Sequence, residues 1–177
     1  MNYKYTFTGH ETFPCRNYWL KKGYDFANQE NTSFSDANVT AELGVGKNMV
    51  TSIKYWLKSF NLVDQENNPT FFAHNLLDQA NTPNNNRPWD AYLEDINTIW
   101  LLHYFLIKSN YASIYNIFFN SFLIRHIDFT FENFEHYLIL YLKDKATVAE
   151  NSIHSDVNVL KNSYLRSNRK GQSIEDT

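Results

Sequence analysis

Lys47, Thr51, Lys54 and Lys58 recur at steps of four, three and four, so on a helix they share one face. Ammonium groups interleaved with small polar groups suit a polyanion, because each lysine that neutralises a phosphate releases condensed counterions. Between Leu43 and Val63 there are three lysines and no acid. Lys47, Asn48, Thr51 and Ser52 are therefore candidates to meet base edges or phosphates, and Lys54, Tyr55 and Lys58 to contact or flank the backbone of duplex DNA. Arg16, with Lys21 and Lys22, forms a second candidate phosphate patch, for which the competing reading is a solvated helix end. The competing reading of the lysine face is an ordinary amphipathic helix whose charged side meets water.

A second chemistry is conceivable. His10, Glu11, Asp90, Glu94, Asp95 and His103 are residue types that a divalent metal or an acid–base mechanism needs. Asp90 and Glu94 share a face if residues 90–95 are helical, and Asp90, Tyr92 and Glu94 share one if they are extended. Either arrangement presents two carboxylates, as a metal-dependent nuclease requires. Structural roles compete: Asp95 precedes an apolar periodic segment and fits a helix N-cap, and His103 sits inside an apolar run. No spaced Glu-x-Lys nuclease signature is present. The stretch LGVGKN lacks the spacing and the Ser/Thr of a phosphate-binding loop. No catalytic residue, metal site or cofactor is assigned.

The lysine face needs a helix held at a defined angle, and the surrounding sequence provides for one. A short helix through Val39 and Leu43, capped by Ser35 or Asp36, stops at Gly44, where a left-handed residue ends a helix without steric cost. Gly46 leads into a longer helix whose Val50, Ile53, Leu57 and Phe60 form an apolar stripe. Gly44, Val45, Val50 and Ile53 meet the spacing of a helix-turn-helix. DQENNPTFFAHNLLD follows, read as a β-hairpin with Asn67, Asn68 and Pro69 at the turn and Thr70 to Phe72 as the return strand. That hairpin would be the wing of a winged helix, with Asn67 and Asn68 at its tip.

Upstream, Tyr3 to Phe7 alternates like a short strand. GHETFPCRNYWLKKG reads as a helix capped by Thr12, with Pro14 in its first turn and Gly23 as its stop. Downstream of the polar stretch Asn81 to Pro88, helices are expected after Asp95, over Ala112 to Leu123, from Thr130 to about Lys145, and through Ile153, Val157, Leu160 and Tyr164.

The net charge of −3 gives no global case for nucleic acid, but its distribution is uneven. Residues 1–63 hold seven basic and five acidic side chains, and the remainder nine and fourteen, so any phosphate binding is local and salt-sensitive. A single cysteine, Cys15, excludes an internal disulfide and a cysteine-rich zinc site. MNYKYTFTGHETF has no signal-peptide core, and the apolar run Ile99 to Ile107 is too short to span a bilayer. A cytoplasmic protein without a membrane partner is expected.

GHETFPCRNYWLKKGYD, LGVGKNMVTSIKYWL, WDAYLEDINTIWLLHY and SDVNVLKNSYL together resemble a bacterial family known as domain of unknown function family 4007. The resemblance covers nearly the whole chain. It implies a role in bacterial DNA-modification and antiphage defence islands, of the sulfur-modification type. A phosphoadenosine-phosphosulfate-reductase-like protein or another defence-system subunit is the implied partner. Family members tend to continue past the position of Thr177, which implies a C-terminally shortened chain or a fragment.

The expectation is an α+β, mainly α protein: a winged helix-turn-helix DNA-binding domain over residues 1–80, an Asn/Pro-rich linker over 81–88, and a small helical bundle over 89–177. Its expected function is non-catalytic DNA binding within such a system. Two alternatives stay open. One is a metal-dependent nuclease using Asp90, Glu94 and Asp95. The other is a winged-helix interaction module without DNA binding, in which Trp19, Trp56, Trp89 and Trp100 serve protein interfaces.

Overall fold

The structure is a computed structural model that describes residues 5–16, 18–79 and 87–165. Among these residues it is helical and contains no strand, which corrects the α+β expectation to an all-helical architecture. The elements are α1 (Trp19–Ala27), α2 (Val39–Leu43), α3 (Lys47–Ser59), α4 (Phe71–Leu77), α5 (Ile96–Lys108), α6 (Ser113–Ile117), α7 (Phe131–Leu142) and α8 (Glu150–Tyr164). A π-helical turn, Phe118–Phe122, extends α6. The expected linker falls mostly on residues 80–86, which lie outside the described residues.

Several helix boundaries follow local chemistry. Gly44 adopts φ 59° at the end of α2, and its N–H and that of Val45 return to the carbonyls of Ala41 and Thr40. No atom crowds a Cβ built there, so glycine is needed for backbone conformation rather than space. Asp95 and Thr130 cap α5 and α7 through side chains that accept the N–H of Asn97 and Asn133. The start of α2 differs from expectation. Asn38 holds the cap position, while Asp36 instead accepts the N–H of Ser33 within the preceding loop.

Two other expectations fail for tertiary reasons. Gly23 does not stop α1 but lies inside it, where an added Cβ would sit 2.5 Å from Ile53 and 2.8 Å from Leu57 of α3. It is the point where the backbone of α1 rests on the side chains of α3, and α1 starts only at Trp19. Thr12 and Pro14 belong to a non-helical segment in which Thr8, Glu11 and Thr12 all have positive φ.

The expected wing is also absent. Val63 and Pro69 form a single antiparallel bridge around a tight turn, and Thr70 accepts the N–H of Ala73 as the N-cap of α4. Pro69 has no N–H to extend a ladder, and the residues expected as the return strand form the first turn of a helix. The Tyr3 to Phe7 strand is likewise not formed over its described residues, Tyr5 to Phe7. There the Thr6 N–H goes to the Ser113 hydroxyl rather than to a neighbouring strand.

One apolar cluster runs from Trp19 and Leu20 on α1 through Ile53, Trp56 and Leu57 on α3 to Tyr115, Phe134, Leu138 and Leu160 in the second half. Trp56 is at its middle. Its ring meets Tyr55, Phe60 and Tyr115, and its indole N–H donates to the Phe13 carbonyl at 3.1 Å. Beneath α6 and α7, Phe118, Phe122 and Phe134 pack ring against ring. No helix among the described residues is long and apolar enough to cross a membrane.

Candidate nucleic-acid interface

The α2–turn–α3 unit rests on α1. Val39 and Leu43 of α2 and Val50, Ile53 and Leu57 of α3 are buried, so both helices turn their apolar sides inward. Lys22 of α1 fastens the unit by donating from Nζ to the Leu43 carbonyl at 3.2 Å, at the C-terminus of α2 where a cation is favoured. Its exposed ammonium thus also has a role in the fold, beside the expected phosphate patch of Arg16 with Lys21 and Lys22. Arg16 lies elsewhere, its guanidinium 5.5 Å from the Phe13 ring centre and 5.4 Å from that of Trp19.

The outward face of α3 carries Lys47, Asn48 and Thr51, all exposed, with Lys54 and Lys58 half-exposed beside them. Lys58 reaches down the helix to the turn that replaces the wing. Its Nζ donates to the Gln65 carbonyl at 2.8 Å and lies 5.8 Å from the Tyr111 ring centre. Partial burial and then the neighbouring Lys54 charge hold its pKa below the ordinary lysine value, against the pull of Asp64 and Glu66. Those two acids make the turn unlike a basic wing. Asn68 is exposed at the turn, its N–H bonded to Asp64, and Asn67 takes φ 73°.

Ser52 and Tyr55 do not belong to this face. They are 0% and 2% exposed, because a helix turning about 100° per residue carries them round toward the core. Tyr55 receives the segment that contains GHETF. Gly9 packs directly on its ring, where an added Cβ would lie 2.5 Å from Cδ2. His10 stands edge-on to Tyr55 and stacks over Trp56.

His10 is fully buried and meets Asp156 of α8, also fully buried, at 3.1 Å between Nε2 and Oδ1. Its Nδ1 accepts the Thr12 N–H at 3.1 Å, which assigns the ring proton to Nε2, on the side of the carboxylate. Asp156 Oδ1 also accepts the Thr8 N–H at 2.8 Å. The three positive-φ residues around His10 thus shape a loop that hands two backbone donors inward. The His10–Asp156 contact is close without hydrogen-bond alignment, and His10 Nε2, Asp156 Oδ2 and the Tyr55 hydroxyl lack hydrogen-bond partners. Burial and the Asp156 charge push the Tyr55 hydroxyl pKa well up, so it stays protonated. One sequence signal marks this arrangement: Asp156 occupies an apolar-stripe position, three after Ile153 and four before Leu160.

The carboxylates near residue 90 are committed to backbone. Asp90 accepts the N–H of Glu94 at 3.0 Å and of Asp95 at 2.9 Å, one through each oxygen. Partial burial raises its pKa, but these bonds and one from Thr98 outweigh it and leave it below the ordinary carboxylate value. With Asp95 capping α5, only Glu94 projects freely. Among the described residues no three His, Cys, Asp or Glu side chains are grouped to hold a metal ion.

His103 lies on the opposite flank of α3 from the lysines, in a groove of about 680 Å³ lined by Trp56, Phe60, Trp100, Tyr115 and Tyr164 among others. Its Nδ1 is 2.9 Å from the Tyr164 hydroxyl, and burial holds its pKa below the ordinary histidine value. Arg16 is at the edge of this groove, away from the lysine face.

Two solved structures share the fold. One, described as an SspB crystal structure, is 28% identical with a TM-score of 0.76, covering 93% of this chain and 51% of its own. The other, a magnesium ion-bound SspB crystal structure, is 27% identical with a TM-score of 0.74, covering 95% and 53%. The chain thus spans about half the length of the solved structures it matches. No curated protein matches. The family described as "Protein of unknown function (DUF4007)" matches residues 7–177, and the chain belongs to that family.

Proposed function

We propose that the protein binds duplex DNA through the outward face of α3, as a non-catalytic component of a bacterial DNA-modification or antiphage defence system. The observation that carries the reading is the combination of exposed Lys47, Asn48 and Thr51 with half-exposed Lys54 and Lys58 on the second helix of a unit whose turn is fixed by left-handed Gly44. A helix presented this way, apolar side down and cationic side out, fits the major groove. Lys47, Asn48 and Thr51 approach base edges and phosphates, while Lys54 and Lys58 contact the backbone. The turn at Asn68 flanks the helix in place of a wing. Residues 1–80 hold this reading unit, and residues 89–177 provide the side that meets a partner.

The likeness to SspB and the resemblance of the motifs to a defence-island family support the wider setting, and a sulfur-transfer-type protein of the reductase-like class is the partner in this reading. One SspB structure contains magnesium. In this chain Asp90 and Asp95 are engaged by backbone N–H groups and, among the described residues, no three metal-ligating side chains are grouped, so no metal-dependent step is assigned.

Fluorescence anisotropy with a labelled duplex tests the proposal. Lys47→Ala with Lys54→Ala is expected to weaken binding roughly tenfold, the equivalent of about 1–2 kcal/mol for two surface charge contacts. Lys143→Ala, which removes an exposed charge on the far side of the sequence, leaves binding unchanged. Equal affinity for all three proteins contradicts the reading.

A further inference from the structure

Helix α5 has no Asp, Glu, Lys or Arg between Asp95 and Lys108, and apart from Asn97 its exposed positions there are apolar or aromatic. Leu102 and Leu106 are buried, while Ile96, Trp100 and Tyr104, at steps of four, form an exposed ridge. Trp100 is 65% exposed and Ile96 64%. An exposed apolar ridge on a helix whose other side is already buried marks an interface. The ridge borders the groove, whose lining includes Ile96, Ile99, Trp100 and His103 of the same helix. Ridge and recess are therefore neighbours, the arrangement that lets one surface complement itself across a two-fold axis.

The charges at the two ends define the direction. Glu94 and Asp95 are exposed at the N-terminus of α5, and Lys108 is exposed at its C-terminus. Parallel copies would place like charges together. Antiparallel copies would bring the Glu94–Asp95 end of one beside Lys108 of the other, with opposed helix dipoles. We propose that α5 is a self-association surface on which two copies of this chain pack antiparallel, the Ile96–Trp100–Tyr104 ridge of each entering the groove of the other. A stable interface covers about 800 Å² per partner, on the order of what Trp100, Tyr104, Tyr92, Tyr18, Ile96 and Ile99 leave uncovered. This pairing stands independently of DNA binding, since the lysines of α3 lie on its other flank.

Sedimentation velocity over a range of concentrations tests it. The wild type shows a monomer–dimer equilibrium. Trp100→Glu raises the dimer dissociation constant about 30-fold or more, as for loss of an interface anchor, with an unchanged circular dichroism spectrum. Lys108→Glu weakens the dimer, and adding Glu94→Lys to it restores association. A wild type that is monomeric at every concentration, or that forms only species larger than a dimer, overturns the proposal. So does a dimer indifferent to Trp100→Glu, and failure of the charge swap to restore association overturns the antiparallel arrangement.

Discussion

Helices α3 and α5 are each thirteen residues long and each bury one side in the same core, yet their free sides are opposite in character. The free side of α3 presents lysines and small polar groups, and that of α5 presents Ile96, Trp100 and Tyr104. Burial explains the inner faces of both, because apolar area removed from water drives each to the core. It does not explain the outer faces, on which the two proposals rest: a cationic side proposed to meet phosphate and an apolar side proposed to meet a second copy of the chain. The inner faces differ as well. Leu102 and Leu106 of α5 enter an apolar interior, whereas α3 meets a buried polar group, with Tyr55 beside His10 and Asp156.

That last difference carries the largest expected effect. Asp156→Ala leaves His10 Nε2 and the Thr8 N–H facing an apolar void and is expected to cost about 3 kcal/mol, read as a shift in the urea unfolding midpoint. A loss below about 1 kcal/mol would place the buried pair among dispensable contacts. Gly23→Ala follows, and its sign is informative. In an ordinary helix interior alanine gains up to about 1 kcal/mol over glycine. Here the methyl group would enter Ile53 and Leu57, so a loss of about 1–3 kcal/mol is expected from thermal melts. A gain would mean that α1 and α3 are not held as closely as described.

The smallest effect is at the start of α5. Asp90→Ala removes the acceptor of two N–H groups and should cost about 1 kcal/mol. Because the folded-state pKa of Asp90 is depressed, its contribution is fully present above the ordinary carboxylate pKa and is lost as pH falls through the folded value. Wild type and variant should therefore converge in stability in acid. A stability difference independent of pH would assign the cost to packing.

Much of α3 and α5 was legible because the signals there are local. Gly44 terminates α2 by conformation alone, and Asp95 and Thr130 cap by reaching two or three residues along their own chain. Features set by distant residues were hidden. Gly23 reads as a helix stop in the sequence because what requires it, the side chains of Ile53 and Leu57 on α3, lies thirty residues on. Ser52 and Tyr55 are polar enough to suit a DNA face, and only the arrival of Gly9 and His10 shows that Tyr55 faces inward. The hairpin failed because Thr70, plausible in a strand, is a better N-cap for the apolar run behind it.

The cationic side of α3 is the centre of this account, and salt dependence of duplex DNA affinity tests it most directly. Each phosphate contact contributes about 0.9 to the slope of log affinity against log salt, so Lys47→Ala, Lys54→Ala and Lys58→Ala together should flatten that slope by about two to three. The expected result is a weaker, less salt-sensitive triple variant with an unchanged fold. A wild type that does not bind at low salt, or a slope untouched by the three substitutions, would contradict the assignment of α3 as the DNA-reading helix.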